Sequence, residues 1–204
     1  MTRWLLLLTP LLLTPLLVGW TTSESNIENY YREYGGSVKC FSESCPHKLP
    51  IGRTVHVCHG SGCEWTERFV FNRNDMNYLR LIFSTTTSPK NERINIAKAV
   101  AWAERRVCKT AGTCQDKGGA SWMTSKVKGQ MECVDETTNT TSYLLVMKHF
   151  LSHCKTITPL HRFGNTFPHW AARIKCPDGV FVVDSYFKNN GRKPDIMSES
   201  RWSK

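Results

Sequence analysis

A Pro177-Asp178-Gly179 turn stands between two runs with the composition of β-strands. Proline presets φ in such a turn and glycine accepts a positive φ, so the chain reverses here. Before the turn, Trp170, Ala172, Ile174 and Cys176 alternate with His169, Ala171, Arg173 and Lys175. After it, Val180-Phe181-Val182-Val183-Asp184-Ser185-Tyr186-Phe187 is β-branched and aromatic, which favours a strand. Pairing Cys176 with Gly179 sets Lys175 opposite Val180, Ala171 opposite Asp184 and His169 opposite Tyr186. In that register His169 and Asp184 leave the same face as diagonal neighbours, with Cβ atoms about 7 Å apart or less. Ala171 is small and leaves the gap between them open. A slip of one residue sends the two side chains to opposite faces, and the bland alternative is a strand histidine unrelated to the aspartate.

The third party to this pair is Met131-Glu132-Cys133-Val134-Asp135-Glu136, which opens a predicted helix from Cys133 to His153. Its first half is polar; its second half carries Tyr143, Leu144, Leu145, Met147, Phe150 and Leu151. A thiol at a helix N-terminus faces the positive end of the backbone dipole, which lowers its pKa. Asp135 and Glu136 stabilise the first turn and partly oppose that effect; the alternative for Asp135 is a direct role at the site. Cysteine, histidine and aspartate supply a nucleophile, a base and an anion that orients the base.

A helix opening on cysteine, then a histidine strand, a turn and an aspartate strand resembles the core of the transglutaminase-like superfamily. Its bacterial members include transglutaminase-like cysteine proteinases. The similarity spans roughly residues 94–187. It implies Cys133 as nucleophile, His169 as base and Asp184 as the orienting group, with no cofactor and no metal. The animal enzymes carry tryptophan directly after the nucleophile, where this chain has Val134. Oxyanion stabilisation then falls to the Cys133 backbone N–H, with Gln130, three residues upstream, as the candidate side-chain donor.

Residues 1–22 read as a signal peptide or membrane anchor: Arg3 precedes an apolar run that reaches Trp20, broken by Pro10 and Pro15. No small-x-small cleavage site follows, so an uncleaved anchor is the alternative to removal. Either outcome exports the chain to a periplasmic or extracellular location. The formal net charge is +10, and losing residues 1–22 removes only Arg3 from the charged set. Such a balance suits an anionic envelope surface or acidic substrates, and no nucleic-acid motif is present.

Nine cysteines in an exported chain leave one unpaired if the rest are bridged. With Cys133 set aside, the close pairs Cys40–Cys45, Cys58–Cys63 and Cys108–Cys114 are the local candidates, and Cys154 then meets Cys176. Zinc at the two C-x-x-x-x-C pairs with His56 and His59 is the competing reading, but the spacing is looser than a metal knuckle. Strands at 53–58 and 63–71 flank a His59-Gly60-Ser61-Gly62 turn. A short helix capped by Asn74 or Asp75 follows, with Met76, Leu79, Ile82 and Phe83 as its apolar stripe. Ser88-Pro89 opens a core helix that reaches Val107. The loop from Cys108 to Trp122 either borders a cleft or is a surface connection. His149 and His153 read as an exposed polar face, and the Asn139-Thr140-Thr141 sequon as chance inside a helix.

The expectation is an α+β protein. Residues 23–87 form a small disulfide-containing hairpin and helix region. Residues 88–204 form a transglutaminase-like (papain-like) core, with the nucleophile helix packed on an antiparallel sheet. The expected activity is thiol acyl transfer on amide bonds of a protein or peptide substrate, peptidoglycan peptides included, by a peptidase or amidase. A crosslinking transglutaminase and a non-catalytic basic envelope-binding module are the alternatives.

Overall fold

The computed structural model describes residues 52–121, 123–163 and 168–204. The leader and the Cys40–Cys45 pair lie outside the described residues. The fold is α+β, with two antiparallel sheets: a hairpin of β1 (Thr54–His59) and β2 (Trp65–Val70), and a four-stranded meander. The meander runs β3 (Thr156–Phe163), β4 (Pro168–Cys176), β5 (Gly179–Asp184) and β6 (Asp195–Ser198), neighbours in space as in sequence. Helix α1 (Arg73–Phe83) follows the hairpin, α2 (Pro89–Ala111) follows α1, and α3 (Cys133–Met147) precedes β3; a last turn, α4 (Glu199–Trp202), closes the chain. No helix among the described residues is long and apolar enough to cross a membrane.

The β4–β5 register is the one the turn demands: Cys176 pairs with Gly179, Lys175 with Val180 and Ala172 with Val183. Gly179 takes φ 137°, a conformation costly for any residue with a Cβ. One face of β4 and β5, with Ala172, Ile174, Cys176 and Val183, joins the main core; the other carries Ala171 and Val182 against Trp202.

Helix α3 lies between the two sheets, against β1 on one side and β4 on the other. Val55, Val57, Phe69, Phe71, Leu79 and Phe83 share one core with Val100, Tyr143, Leu144 and Ile174, so residues 52–87 pack into the same core as the described residues from 88 onward. The polar half of α3 is buried, from Val134 through Ser142. Its polar groups are spent on neighbouring elements, as burial requires. Asn139 accepts from Cys58 N–H at 2.7 Å and donates to Cys58 C=O at 2.8 Å, and Thr140 and Ser185 hydroxyls meet at 2.8 Å. This commitment closes Asn139 to glycosylation. Asn139→Ala strands both Cys58 backbone groups in the core, and a loss of about 3 kcal/mol is expected in urea unfolding.

Three boundaries differ from the sequence expectation. Asn72, not Asn74 or Asp75, caps α1: its side chain accepts from the N–H groups of Asn74 and Asp75, while Asp75 accepts from Asn72 N–H. Helix α2 starts as expected on the Ser88 cap with Pro89 in the first turn, but runs to Ala111 and ends on left-handed Gly112. Helix α3 stops at Met147 and passes into a 3₁₀ turn at Lys148–Phe150 instead of reaching His153. Beyond it, Glu92 of α2, fully buried, captures the N–H groups of Ser152, His153 and Cys154. That capture competes with continuation of the helix. His149 is exposed and His153 partly so, both beyond the end of α3.

Disulfides join Cys58–Cys63, Cys108–Cys114 and Cys154–Cys176. The first takes both cysteines of the alternative zinc reading at the hairpin. The set fits an oxidising, exported location. Cys133 is the free thiol among the described residues.

Candidate active site

His169 leaves β4 and Asp184 ends β5, and the register puts both on one face. His169 Nε2 lies 2.8 Å from Asp184 Oδ2. The same oxygen accepts the Trp202 indole N–H at 2.8 Å, and Oδ1 accepts Tyr186 N–H at 3.2 Å. Three donors thus fix the carboxylate. The imidazole is boxed by Tyr186, Phe187 and Trp202, with ring centroids at 5.0, 5.3 and 5.5 Å. With Nε2–H donated to Asp184, the neutral ring keeps its lone pair on Nδ1, the nitrogen a base would use.

Cys133 is the first residue of α3 and is partly exposed. Its sulfur receives the backbone N–H of Trp170, the peptide that follows His169. Its S–H donates to Glu132 Oε2 at 3.4 Å. Burial, then the Glu132 carboxylate, push the thiol well above its ordinary range. This corrects the expectation that the helix dipole lowers it. The first turn is already answered by carboxylates, since Asp135 accepts Glu132 N–H at 3.3 Å, and the positive end presented to sulfur is weakened.

Asp135 also holds the β1–β2 turn. Gly60, Ser61, Gly62 and Cys63 take φ of 88°, 69°, 68° and 57°, a left-handed run rare for side-chain-bearing residues. Its N–H groups point at α3: Ser61 and Cys63 donate to Asp135 at 2.8 and 2.6 Å, and Gly62 to Glu132 Oε1 at 3.1 Å. His59 is buried below, accepting Gly129 N–H on Nδ1 at 3.2 Å, and burial lowers its pKa.

Gln130, the candidate oxyanion donor, is engaged elsewhere. Its carbonyl accepts Lys117 N–H at 3.2 Å and its amide donates to Gln115 C=O at 3.1 Å, which folds the 112–130 loop onto itself. Sequence reasoning missed two residues at the site. Glu132 was visible as a charge beside the nucleophile. Trp202, eighteen residues from Asp184, had no local signal.

Behind the site, Glu104, Asp116 and Glu136 meet, and among the described residues none of the three forms an ion pair with a lysine or arginine. Glu104 accepts Gly191 N–H at 2.7 Å, Asp116 accepts Met131 N–H at 2.6 Å, and both carboxyls act electrostatically on buried Glu136. Burial pushes Glu104 and Asp116 up to about 7, and Glu136 well above its usual range. A carboxyl whose folded pKa is raised stabilises fully below its unfolded pKa, and that stability is lost as pH rises through the folded value. Thermal unfolding is therefore expected to show a Tm several degrees lower at pH 8.5 than at pH 6, and Glu136→Gln should flatten that slope.

Compared with known proteins, the chain matches no family model, no curated protein and no solved structure.

Proposed function

We propose that this chain is an exported thiol enzyme of transglutaminase-like type that transfers the acyl group of an amide through Cys133, His169 and Asp184. The observation that carries the reading is the buried His169–Asp184 hydrogen bond of 2.8 Å, with the one free thiol of the described residues at a helix start beside the 169–170 peptide. In this reading His169 Nδ1 takes the Cys133 proton, and the imidazolium is stabilised by Asp184. The thiolate attacks the amide carbonyl, and the oxyanion rests on the Cys133 backbone N–H at the start of α3. The imidazolium then protonates the leaving amine, and a thioester remains on sulfur. Water, activated by the imidazole, releases the acid; an amine in its place forms a new amide. The substrates are proteins or peptides, peptidoglycan peptides included, and the basic surface holds the enzyme to an anionic envelope.

The test is acetyl transfer from p-nitrophenyl acetate, followed by mass mapping. Acetyl on Cys133 in the wild type and its loss in His169→Ala are expected; a wild type that carries no acetyl there sinks the reading. The upward push on the thiol favours a second reading, a non-catalytic basic envelope-binding module, in which Cys133 would also resist iodoacetamide at neutral pH.

A further inference from the structure

The thiol has a neighbour that the acyl-transfer mechanism does not use. Glu132 is almost buried, and its carboxylate touches the nucleophile itself: Oε2 takes the S–H at 3.4 Å while Oε1 takes Gly62 N–H at 3.1 Å. As the N-cap of α3 its side chain also accepts Asp135 N–H; a carboxylate offers about four acceptor positions, so roughly one remains open. The charged groups around it are Asp135 on its own helix and Asp184 from β5, with the Tyr186 hydroxyl nearby; Glu132 and Asp184 both act on the thiol and on that hydroxyl. Among the described residues no lysine or arginine forms an ion pair with Glu132. An anion bonded to S–H holds the proton on sulfur and opposes the thiolate that nucleophilic attack needs. What removes that opposition is a cation supplied from outside.

We infer that Glu132 recognises a protonated amine of the substrate, so that the substrate class is an amide bearing a primary ammonium close to its reacting carbonyl. The inference rests on the acyl-transfer reading only for the word substrate; the cation site and its effect on the thiol stand without it. When the ammonium pairs with Glu132, the S–H loses its acceptor and the proton passes from Sγ to His169 Nδ1. Resting enzyme is thereby held unreactive, and the thiolate forms with the correct substrate in place.

The probe is methylammonium, and the readout is the rate at which iodoacetamide alkylates Cys133 at pH 7 in the oxidised protein, with potassium at equal ionic strength as control. In the wild type, methylammonium should accelerate alkylation saturably, by about tenfold for each pKa unit by which the thiol falls. Glu132→Gln should alkylate faster than wild type without the amine and show no further response. Glu132→Asp keeps the charge and should keep the response, which separates recognition from a folding defect; near-UV circular dichroism checks the fold of both variants. No acceleration by methylammonium, or equal acceleration in Glu132→Gln, overturns the inference. A saturable, Glu132-dependent response in a protein that never accepts acetyl from p-nitrophenyl acetate would support the cation site while the acyl-transfer reading fails.

Discussion

Cys133→Ala and His169→Ala should each lower turnover of the substrate amide by about a thousandfold or more, because one removes the bond-making atom and the other its base. Asp184→Asn should fall between these and wild type. The asparagine carbonyl at the Oδ2 position can still accept from His169 and Trp202, so the ring stays aimed. The charge that stabilises the imidazolium is gone, and the amide at the other position faces the Tyr186 N–H as donor against donor. The double variant Cys133→Ala with His169→Ala should be no worse than either alone, since the two act as a unit. Rates are to be measured on an amide that carries a free amine, and full activity in Cys133→Ala would remove the mechanism.

Glu92→Ala should be the most destabilising single change away from the site. The carboxylate is fully buried and accepts Ser152 N–H at 2.5 Å, His153 N–H at 3.0 Å and Cys154 N–H at 2.6 Å. Removing it leaves three donors unanswered and a cavity beside α2, at a cost of about 3–5 kcal/mol. Glu92→Gln keeps one acceptor oxygen and should cost roughly half as much. Chemical unfolding of both variants, with the Cys154–Cys176 disulfide intact, reads the difference; a loss for Glu92→Ala below about 1 kcal/mol would show that water replaces the carboxylate.

The parts of this fold that were legible in the sequence are those whose cause is local. The Pro177-Asp178-Gly179 turn admits one tight register, and that register carries His169 and Asp184 to the same face. Ser88-Pro89 marks the start of α2 because cap and first turn are adjacent in the chain. Cys58–Cys63 and Cys108–Cys114 close loops too short for many other partners. Cys154–Cys176 followed once the other cysteines were assigned. What stayed hidden depends on partners far along the chain. A polar run such as Asp135 to Ser142 looks solvent-facing until β1 and β4 are placed against it. The Asp135 bonds to Ser61 and Cys63 span more than seventy residues. Gln130 looks like an oxyanion donor by proximity to Cys133, and only the path of the 112–130 loop turns its amide away. Trp202 acquires a role only because α4 folds back over β5.

Burial of α3 on every side also bears on which substitutions the protein tolerates. Most helices at a protein surface show a rhythm under saturation mutagenesis, with a permissive position every three or four residues where the side chain meets water. From Val134 to Leu144 this helix has no such outlet. A map of tolerated residues should therefore run flat and restrictive along those eleven positions, without the helical period, and the polar residues should be as refractory as Tyr143 and Leu144. The chain would carry its narrowest mutational passage in a helix whose first half is polar.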